Sequence, residues 1–325
     1  MAKVLCLRPE ADFARVGALA PAGLSVTYTK PDDPAVARLI AAARALVIPA
    51  VGPKISPALF EDCDLDLVQV TGAGLDRLDK ATLTRLGIPV ANVPGGSNTA
   101  LAEYAVTAAS LLLRRFCWAD AEIKRGNYAA FRARMIADNL AGVEGLTVGV
   151  IGLGTIGAAV AHAFQRAGAK VCYYDPALRD HRLAAEIGAT AMELDQLLAA
   201  ADVVTLHVPL LPQTQNLIGA RQLGLMKADA VLIQASRGGI VDEAALAARL
   251  EAGLLGGAAV DVYASEPPGT DHPLLALTGE AASRLLLTPH VAGVTRQSSA
   301  FLFRTAWENV ERVLVRGEPP ANRAY

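Results

Sequence analysis

The chain has 325 residues, of which 53% are hydrophobic and 19% are charged, and its formal net charge is −2. This length favours two domains, and the composition permits large buried sheets, whereas a near-neutral charge without a basic run argues against nucleic-acid binding. Arg8 and Glu10 interrupt the first apolar stretch before it reaches signal-peptide length, and windows such as 105–113 are too short to span a bilayer. We therefore expect a soluble, cytoplasmic protein that binds neither nucleic acid nor a membrane.

Short β-like runs alternate with helical runs over the first hundred residues, which predicts a small α/β domain with a parallel sheet. The candidate strands are apolar and lie at 4–7, 24–28, 45–48, 67–70 and 89–93, with a candidate helix at 33–43. From Asn98 to Phe116 apolar residues recur with a helical period. We expect this helix to be capped by Asn98 or Thr99 and to lead into the second domain.

The segment from Trp118 to Glu144 is charged and carries Arg125, Arg132 and Arg134. Two interpretations stay open for it: an arm that packs on another subunit, or a solvated loop with a short helix. The charge pattern fits either.

From Leu146 onward the alternation of strands and helices resumes. Six runs typical of parallel strands lie at 147–151, 170–174, 203–207, 230–234, 258–262 and 285–288. Six such strands opening on a glycine-rich turn predict a doubly wound dinucleotide-binding domain. After Thr295 a last helical run extends to about Arg316, and we expect it to return to the first domain.

The glycine-rich turn lies in the segment Val148–Gly157, where an apolar strand is followed by Gly152, Gly154 and Gly157. Glycines at these positions permit a tight turn, close approach of the backbone to a pyrophosphate, and close packing of the following helix. That helix should begin near Thr155, and its first N–H groups are free to bind a phosphate.

Asp175 ends the next predicted strand about 20 residues further on, where a carboxylate accepts hydrogen bonds from the ribose and repels a 2′-phosphate. The implied cofactor is NAD rather than NADP, with Arg179 as the nearby residue that could weaken this preference. The predicted fold is α/β, with two Rossmann-like or flavodoxin-like domains and parallel sheets. Residues 1–98 and 296–325 would form a substrate domain, into which an NAD-binding domain, residues 99–295, is inserted.

The cysteines and histidines do not indicate a metal site. The four cysteines lie apart, without CxxC spacing and in apolar stretches, so we expect reduced, small hydrophobic side chains at Cys6, Cys63, Cys117 and Cys172. The five histidines show neither HxxxH nor HExxH spacing.

Three polar residues follow predicted strand ends in the second half of the chain: Arg237, Glu266 and His290. Taken alone, each has an ordinary interpretation as a surface cation, a solvated loop acid or a turn histidine. Together they supply a guanidinium that can bind a carboxylate through two hydrogen bonds, a proton donor for a carbonyl oxygen, and an acidic side chain that favours the protonated form of this donor. These are the groups that hydride chemistry at a 2-keto acid needs.

The sequence resembles the D-isomer-specific 2-hydroxyacid dehydrogenases, a family that includes phosphoglycerate dehydrogenases and glyoxylate or hydroxypyruvate reductases. The resemblance covers nearly the whole chain, and the order and spacing of its motifs are specific to the family. The matching stretches are 72–76, 148–157, 206–214, 235–243, 257–267 and 288–293.

The resemblance implies a role for each candidate residue. Arg237 would bind the substrate carboxylate and keto oxygen, His290 would donate or accept the proton, and Glu266 would hold and charge the imidazole. His207 also ends a predicted strand, but the family's histidine lies in the Thr-Pro-His motif, so we assign His207 a packing role beside the cofactor. The remaining residues assigned to NAD are Gly152, Gly154, Thr155, Ile156, Gly157, Asp175, Val208, Thr214, Ala235, Ser236, Asp261 and Gly293, together with Arg237 and His290. Those assigned to the substrate are Val51, Gly72, Ala73, Gly74, Arg237 and His290, the three loop residues through their backbone N–H groups.

The chain departs from part of the family pattern. Members that act on phosphoglycerate typically carry arginines near the positions of Pro49 and Val70, and neither is present here, although Lys54 could partly substitute. Formate dehydrogenases of the superfamily pair their histidine with glutamine, so Glu266 favours keto-acid reduction. We also expect no serine-sensing regulatory domain, because the sequence ends at Tyr325.

The sequence therefore predicts an NAD-dependent oxidoreductase that interconverts a small, unphosphorylated 2-keto acid and its D-2-hydroxy acid. By family resemblance, it should be a homodimer. The alternatives are a 3-phosphoglycerate dehydrogenase, a non-catalytic NAD-sensing protein like the corepressors built on this scaffold, and a phosphite or formate dehydrogenase.

Overall fold

The computed structural model describes residues 2–177 and 181–325, and the chain divides into two compact units. The first unit contains Met1–Ser97 and Val294–Tyr325, and the second contains Asn98–Gly293. Arg179, which bears on the choice between NAD and NADP, lies outside the described residues.

Parallel strands form the sheet of the first unit, and the described residues give it five of them. They are β1 (Ala2–Cys6), β2 (Leu24–Tyr28), β3 (Ala45–Ile48), β4 (Leu67–Val70) and β5 (Val90–Ala91). Their order is β2-β1-β3-β4-β5, which is the flavodoxin-like order. Successive residues of β3, Ala45 and Leu46, belong to different core clusters, so both faces of the sheet are buried, as a parallel sheet requires.

The helices of the first unit are α1 (Glu10–Arg15), α2 (Val36–Ala41), α3 (Lys80–Arg85) and, from the far end of the chain, α13 (Arg296–Leu314). The last helix contacts β3 and β4, as expected from the sequence. Its Trp307 is buried with the ring centroid 5.1 Å from that of Phe13, and Asn309 Nδ2 donates to Gln69 Oε1 at 3.0 Å. A capping box between Thr295 and Ser298 begins the helix, an arrangement that contributes roughly 1 kcal/mol.

The second unit contains a longer parallel sheet, to which the described part of the chain contributes seven strands. They are β6 (Thr147–Ile151), β7 (Lys170–Tyr174), β8 (Thr190–Ala191), β9 (Val203–Leu206), β10 (Val231–Gln234), β11 (Gly257–Val260) and β12 (Leu285–Leu287). The order β8-β7-β6-β9-β10-β11-β12 is that of a doubly wound dinucleotide fold with one added strand. The prediction of six strands was wrong because it omitted β8. The two residues of this strand are exposed and form no apolar run. His207 lies just beyond β9 rather than within it.

The helices of the second unit are α4 (Asn98–Leu113), α5 (Phe116–Lys124), α6 (Tyr128–Ala137), α7 (Thr155–Arg166), α8 (His181–Ile187), α9 (Leu194–Ala200), α10 (Ala220–Leu225), α11 (Glu243–Glu251) and α12 (Gly279–Ser283). Helix α4 already begins at Asn98, so the predicted cap at Asn98 or Thr99 is wrong. Ser97, Asn98 and Thr99 are all cap-forming residue types, and sequence alone does not choose between them. None of the described helices is long and apolar enough to cross a bilayer.

The charged segment 118–144 contains two helices rather than a solvated loop with one short helix. The rings of Trp118 and Phe131 are buried with their centroids 5.2 Å apart, which joins α5 to α6. Arg134 lies over the Trp118 ring at 4.5 Å and binds Glu280 of α12 through two hydrogen bonds of 2.7 and 2.9 Å. The four cysteines are free, as expected, with Cys6 and Cys172 buried and Cys117 exposed on α5.

Candidate active site

The glycine-rich turn joins β6 to α7, and its three glycines have different surroundings. A Cβ on Gly152, whose φ is +92°, would lie 2.8 Å from the carbonyl of His207, and a Cβ on Gly157 would lie 1.9 Å from the Gly152 oxygen. Packing inside the protein therefore requires glycine at both positions. At Gly154 a Cβ would meet no described atom within 4 Å. The middle glycine thus leaves open space at the N-terminus of α7, where Thr155 is exposed, and a pyrophosphate fits this arrangement.

Asp175 follows β7 and lies against the same turn. Its carboxylate accepts hydrogen bonds from Leu153 N–H at 2.8 Å and from Ala177 N–H at 2.9 Å. These contacts hold a negative charge beside the dinucleotide turn, where it would oppose a second phosphate on the ribose.

The loop after β9 forms the other side of this sheet edge. His207 Nε2 is 2.8 Å from Thr205 Oγ1, and burial lowers the pKa of His207 to about 3, so the imidazole is neutral and its partner is a hydroxyl rather than a carboxylate. Val208 would contact a Cβ on Gly152 at 2.8 Å. Thr214 is buried, and its hydroxyl accepts from Leu211 N–H at 2.8 Å and donates to the Pro209 oxygen at 2.6 Å. The Thr214 side chain therefore shapes the loop.

His290 and Glu266 are in direct contact. His290 Nδ1 lies 2.8 Å from Glu266 Oε2, and Glu266 Oε1 accepts from Tyr263 N–H at 3.1 Å. The two side chains keep 24% and 31% of their surface exposed, so the pair is accessible to a small molecule. Among the described residues no group hydrogen-bonds to His290 Nε2, the ring nitrogen opposite Glu266.

The backbone of His290 has a φ of +55°, in the left-handed region that costs a non-glycine residue about 1–2 kcal/mol. The buried carboxylate of Asp261 supports this turn. It accepts from the Thr288 hydroxyl at 2.6 Å, from Val291 N–H at 2.8 Å and from Ala292 N–H at 2.9 Å. The Asp261 backbone oxygen also accepts from His290 N–H at 2.8 Å. Asp261 therefore positions the turn that carries His290.

Arg237 follows β10, and its loop packs against the loop that carries Glu266. Gln234, a buried residue at the end of β10, donates through Nε2 to the Arg237 oxygen at 2.8 Å and accepts from the Ser236 hydroxyl at 2.8 Å. A Cβ on Gly238 would lie 1.9 Å from the Tyr263 oxygen, so the two loops touch through their backbones. Arg237, Glu266 and His290 thus follow three neighbouring strands, β10, β11 and β12, at one edge of the sheet.

Sequence reasoning missed Gln234, Tyr263, Thr288 and Tyr104, which support this edge. Tyr104 OH lies 2.8 Å from Thr288 Oγ1, and burial raises the pKa of Tyr104 to about 12. The Tyr263 hydroxyl donates to the Thr288 oxygen at 3.0 Å. A glutamine at the end of an otherwise apolar strand was the one signal that could have been noticed.

In the first unit, the predicted substrate loop Gly72–Gly74 follows β4. A Cβ on Gly72 would lie 2.7 Å from that of Ala50, so this loop packs closely against the loop after β3. The carbonyl oxygens of Gly72 and Ala73 accept from Val93 N–H at 2.9 Å and from Asn92 Nδ2 at 2.8 Å. The N–H groups of the three loop residues have no hydrogen-bond partner among the described residues, which leaves them available to an anion.

Arg77 is a further residue that sequence reasoning missed. Its guanidinium is buried, donates from Nε to the Pro53 oxygen at 2.7 Å and from Nη1 to the Pro49 oxygen at 2.9 Å, and has its pKa lowered by burial. Arg77 thereby holds the loop 49–53, in which Val51 is 46% exposed. An arginine directly after the Gly-Ala-Gly-Leu-Asp motif was the available signal.

The fold and this edge define a doubly wound α/β protein with a dinucleotide turn and a histidine–carboxylate pair. Residues 106–292 match the sequence profile of the D-isomer specific 2-hydroxyacid dehydrogenase, NAD binding domain, which covers more than half of the chain. The chain belongs to the D-isomer-specific 2-hydroxyacid dehydrogenase family. The predictions of this family, of an α/β fold with two parallel sheets and of NAD as cofactor are confirmed.

The relatives differ in what they act on. The chain is 39% identical to the D-3-phosphoglycerate dehydrogenase of Archaeoglobus fulgidus over 235 residues, which are 72% of this chain and 42% of that longer protein. It is 34% identical to the glyoxylate reductase of Aeropyrum pernix over 270 residues, 80% of this chain and 78% of the relative. A crystal structure from Thermus thermophilus superimposes with a TM-score of 0.83 at 28% identity, covering 99% of this chain and all of the other.

Proposed function

We propose that the chain is an NAD-dependent dehydrogenase that interconverts a small 2-keto acid and its D-2-hydroxy acid. The observation that carries this proposal is the 2.8 Å contact between His290 Nδ1 and Glu266 Oε2, beside the Arg237 loop at the carboxyl edge of the sheet. A histidine in contact with a carboxylate, with its second ring nitrogen left for the substrate, is suited to proton transfer.

The residues of the second unit suit NAD. Gly154 leaves room for the pyrophosphate, and Asp175 places a carboxylate where the ribose hydroxyls would bind. When bound, the cofactor supplies or accepts the hydride. The residues that would hold it are Gly152, Gly154, Thr155, Ile156, Gly157, Asp175, Val208, Ala235, Ser236, Arg237, Asp261, His290 and Gly293, with Thr214 acting through the shape of its loop.

The protein's own groups would carry the rest of the reaction. In the reducing direction His290 donates its Nε2 proton to the carbonyl oxygen, while Glu266 stabilises the imidazolium from the other side of the ring. Arg237 binds the substrate carboxylate and stabilises the negative charge that develops on the oxygen. The N–H groups of Gly72–Gly74 bind the carboxylate as well, and Val51 borders the substrate side chain. The reverse reaction uses the same groups, with neutral His290 as the base.

We propose an unphosphorylated substrate. The loop 49–53 presents Val51, and the nearby arginine, Arg77, is buried and donates from Nε and Nη1 to backbone oxygens of this loop. Lys54 is exposed on a flexible stem and offers a single cation. A phosphate dianion desolvated there would lack the bidentate donors that compensate for lost hydration. The 39% identity to a phosphoglycerate dehydrogenase keeps phosphorylated substrates as the second candidate.

We further propose that residues 99–295 form the NAD-binding domain and that 1–98 with 296–325 form the substrate domain. We propose a cytoplasmic homodimer that binds no nucleic acid. The net charge of −2 and the exposed apolar residues of α5 and α6, such as Ile123 and Ile136, support these expectations. Light scattering would test the oligomeric state.

The test of the proposed reaction is steady-state oxidation of NADH by the purified chain with a panel of substrates: glyoxylate, hydroxypyruvate, pyruvate, longer and aromatic 2-keto acids, and 3-phosphohydroxypyruvate. Turnover of an unphosphorylated acid to the D-hydroxy acid is expected. NADH binding without turnover of any acid would favour the corepressor-like alternative, and reduction of NAD by phosphite or formate would favour the third.

A further inference from the structure

The second unit contains another histidine–carboxylate pair, formed by His272 and Glu243. His272 Nε2 lies 2.8 Å from Glu243 Oε2. The two side chains are 8% and 13% exposed, compared with 24% and 31% for His290 and Glu266. This second pair is therefore shielded from solvent and is poorly placed to meet a substrate itself.

The proton on His272 can be assigned from its neighbours. The Leu274 N–H donates to His272 Nδ1 at 3.3 Å, so this ring nitrogen is an acceptor. In the neutral imidazole the proton then lies on Nε2, which donates to Glu243. His272 thus holds the Glu243 carboxylate in one orientation without adding a charge.

The other oxygen of Glu243 holds the backbone of the loop that carries Glu266. Glu243 Oε1 accepts from Ala264 N–H at 2.8 Å. Glu243 is the first residue of α11, whose N-cap Asp242 accepts from Ala245 N–H at 3.0 Å, so the carboxylate is mounted on an ordered helix start. Ala264 is therefore tied to α11 through a charged acceptor, the stronger kind of hydrogen bond.

The segment Tyr263–Ala264 connects all parts of the proposed proton-transfer site. Tyr263 N–H donates to Glu266, the Tyr263 hydroxyl donates to the Thr288 oxygen, and the backbone of both residues packs on Gly238 beside Arg237. The Tyr263 ring also meets the His272 ring edge-on, with centroids 5.7 Å apart. Burial, and then the charges of Asp261, Glu266 and Glu243, raises the pKa of Tyr263. Three carboxylates thus surround this segment, and displacement of it would change the angle at which Glu266 reaches His290.

We propose that Glu243 and His272 are positioning residues for proton transfer: they fix the Tyr263–Ala264 backbone and, through it, the contact of Glu266 with His290. This inference rests on the proposed function of His290 as the proton donor. A pair that served stability alone would leave the protonation of His290 and the turnover rate of the folded protein unchanged, so rate and pH dependence distinguish the two roles.

The test uses the full chain with the substitutions His272→Leu, His272→Gln, Glu243→Gln and Glu266→Gln, and with Asp195→Asn as a control that breaks the exposed Asp195–Arg221 pair in the same unit. We measure kcat and KM for the best 2-keto acid across pH, the affinity for NADH, and thermal unfolding. Hydrogen exchange of the peptide 261–267 reports the order of the loop without requiring turnover.

His272→Leu and Glu243→Gln should lower kcat by about tenfold, with NADH affinity unchanged. The first removes the donor that holds the Glu243 carboxylate, the second replaces this carboxylate with a neutral amide, and both leave the loop less ordered. The alkaline fall of the rate should move to lower pH, and peptide 261–267 should exchange faster. His272→Gln, which keeps an N–H donor near Nε2, should recover most of the rate. Asp195→Asn should behave as the wild type.

A double substitution distinguishes this mechanism from general loosening. If Glu243 acts through Glu266, then Glu243→Gln should have less than about a threefold effect on kcat in the Glu266→Gln background. Additive effects, or an unchanged kcat and pH profile in folded Glu243→Gln and His272→Leu, would overturn the inference. Failure of the proposed function looks different: Glu266→Gln would then leave the pH profile unchanged, or the wild type would turn over no keto acid. Unchanged exchange of peptide 261–267 in Glu243→Gln would overturn the positioning in either case.

Discussion

The strand-end loops of the two units are built differently. In the second unit the loops after β10, β11 and β12 carry charged side chains, and buried polar residues such as Asp261 and Gln234 hold them. In the first unit the loops after β3 and β4 present backbone N–H groups and an apolar side chain, and the buried Arg77 holds one of them through two carbonyl oxygens. The proposed function thus assigns the reacting groups to the second unit and backbone donors to the first. We expect substitutions in the second unit to change kcat and those in the first to change KM.

The largest effect should come from His290. We expect His290→Ala to lower kcat by about 10²–10⁴-fold, because no other described group replaces its proton, while the affinity for NADH changes little. Stopped-flow single turnovers would separate the chemical step from product release. The control is His162→Ala, which removes an exposed histidine on α7. Equal rates in the two variants would show that His290 takes no part in proton transfer, and would contradict the assignment of the reacting groups to the second unit.

Arg77 tests the first unit. Arg77→Met removes the two hydrogen bonds to the loop 49–53, so the KM for the keto acid should rise by about tenfold while kcat falls less than about threefold. Arg85→Met, which affects an exposed arginine paired with Glu61, is the matched control. Thermal unfolding should show that the variant remains folded at the assay temperature. A fall in kcat at constant KM would instead give this unit a part in the chemistry.

The apolar character of the same loop predicts substrate choice. We expect 3-phosphohydroxypyruvate to have a kcat/KM at least about tenfold below that of the best unphosphorylated acid, a difference of ~1.4 kcal/mol in transition-state binding. Val51→Arg should narrow this gap by adding a phosphate partner, whereas Val51→Gln, which is polar but uncharged, should not. A wild type that prefers the phosphorylated acid would contradict this prediction.

The smallest effect concerns the dependence on pH. Glu266→Gln removes the negative charge that stabilises the protonated imidazole, and reduction of the keto acid requires this protonated form. The rate should therefore fall as pH rises, and in the variant this fall should occur at a lower pH. Rate profiles from acidic to alkaline pH measure the shift. Coincident profiles would show that Glu266 does not stabilise the charged histidine.

Much of the second unit could be predicted from its local sequence. Apolar runs predicted six of its strands, with small errors at their ends, because a buried parallel strand is apolar on both faces. Glycine is required at the first position of the turn by contact with the loop after the neighbouring strand β9. It is required at the third position by contact with the carbonyl oxygen of the first glycine. The sequence also predicted that Arg237, Glu266 and His290 follow strand ends, and the structure shows that the three strands are neighbours.

The sequence-based prediction failed at elements whose local sequence gives no clear signal. The short strand β8 is exposed, and α5 and α6 are charged on their outer surfaces, so neither shows a clear apolar period. The start of α4 lies among three residues that can all cap a helix, and the choice depends on where the chain enters the unit.

The sequence by itself determined the family, the two parallel sheets, the dinucleotide turn and the residue types of the proposed proton-transfer site, because apolar periodicity and short motifs are local features of the sequence. Only the tertiary structure decided which buried polar groups hold the loops. Arg77 hydrogen-bonds to Pro49, which is 28 residues away in the sequence. His272 contacts Glu243 at a separation of 29 residues, and Asp261 accepts from Val291 N–H at a separation of 30. Such contacts form where the order of strands brings distant loops to one sheet edge, and a buried donor or acceptor must find a partner there or lose stability.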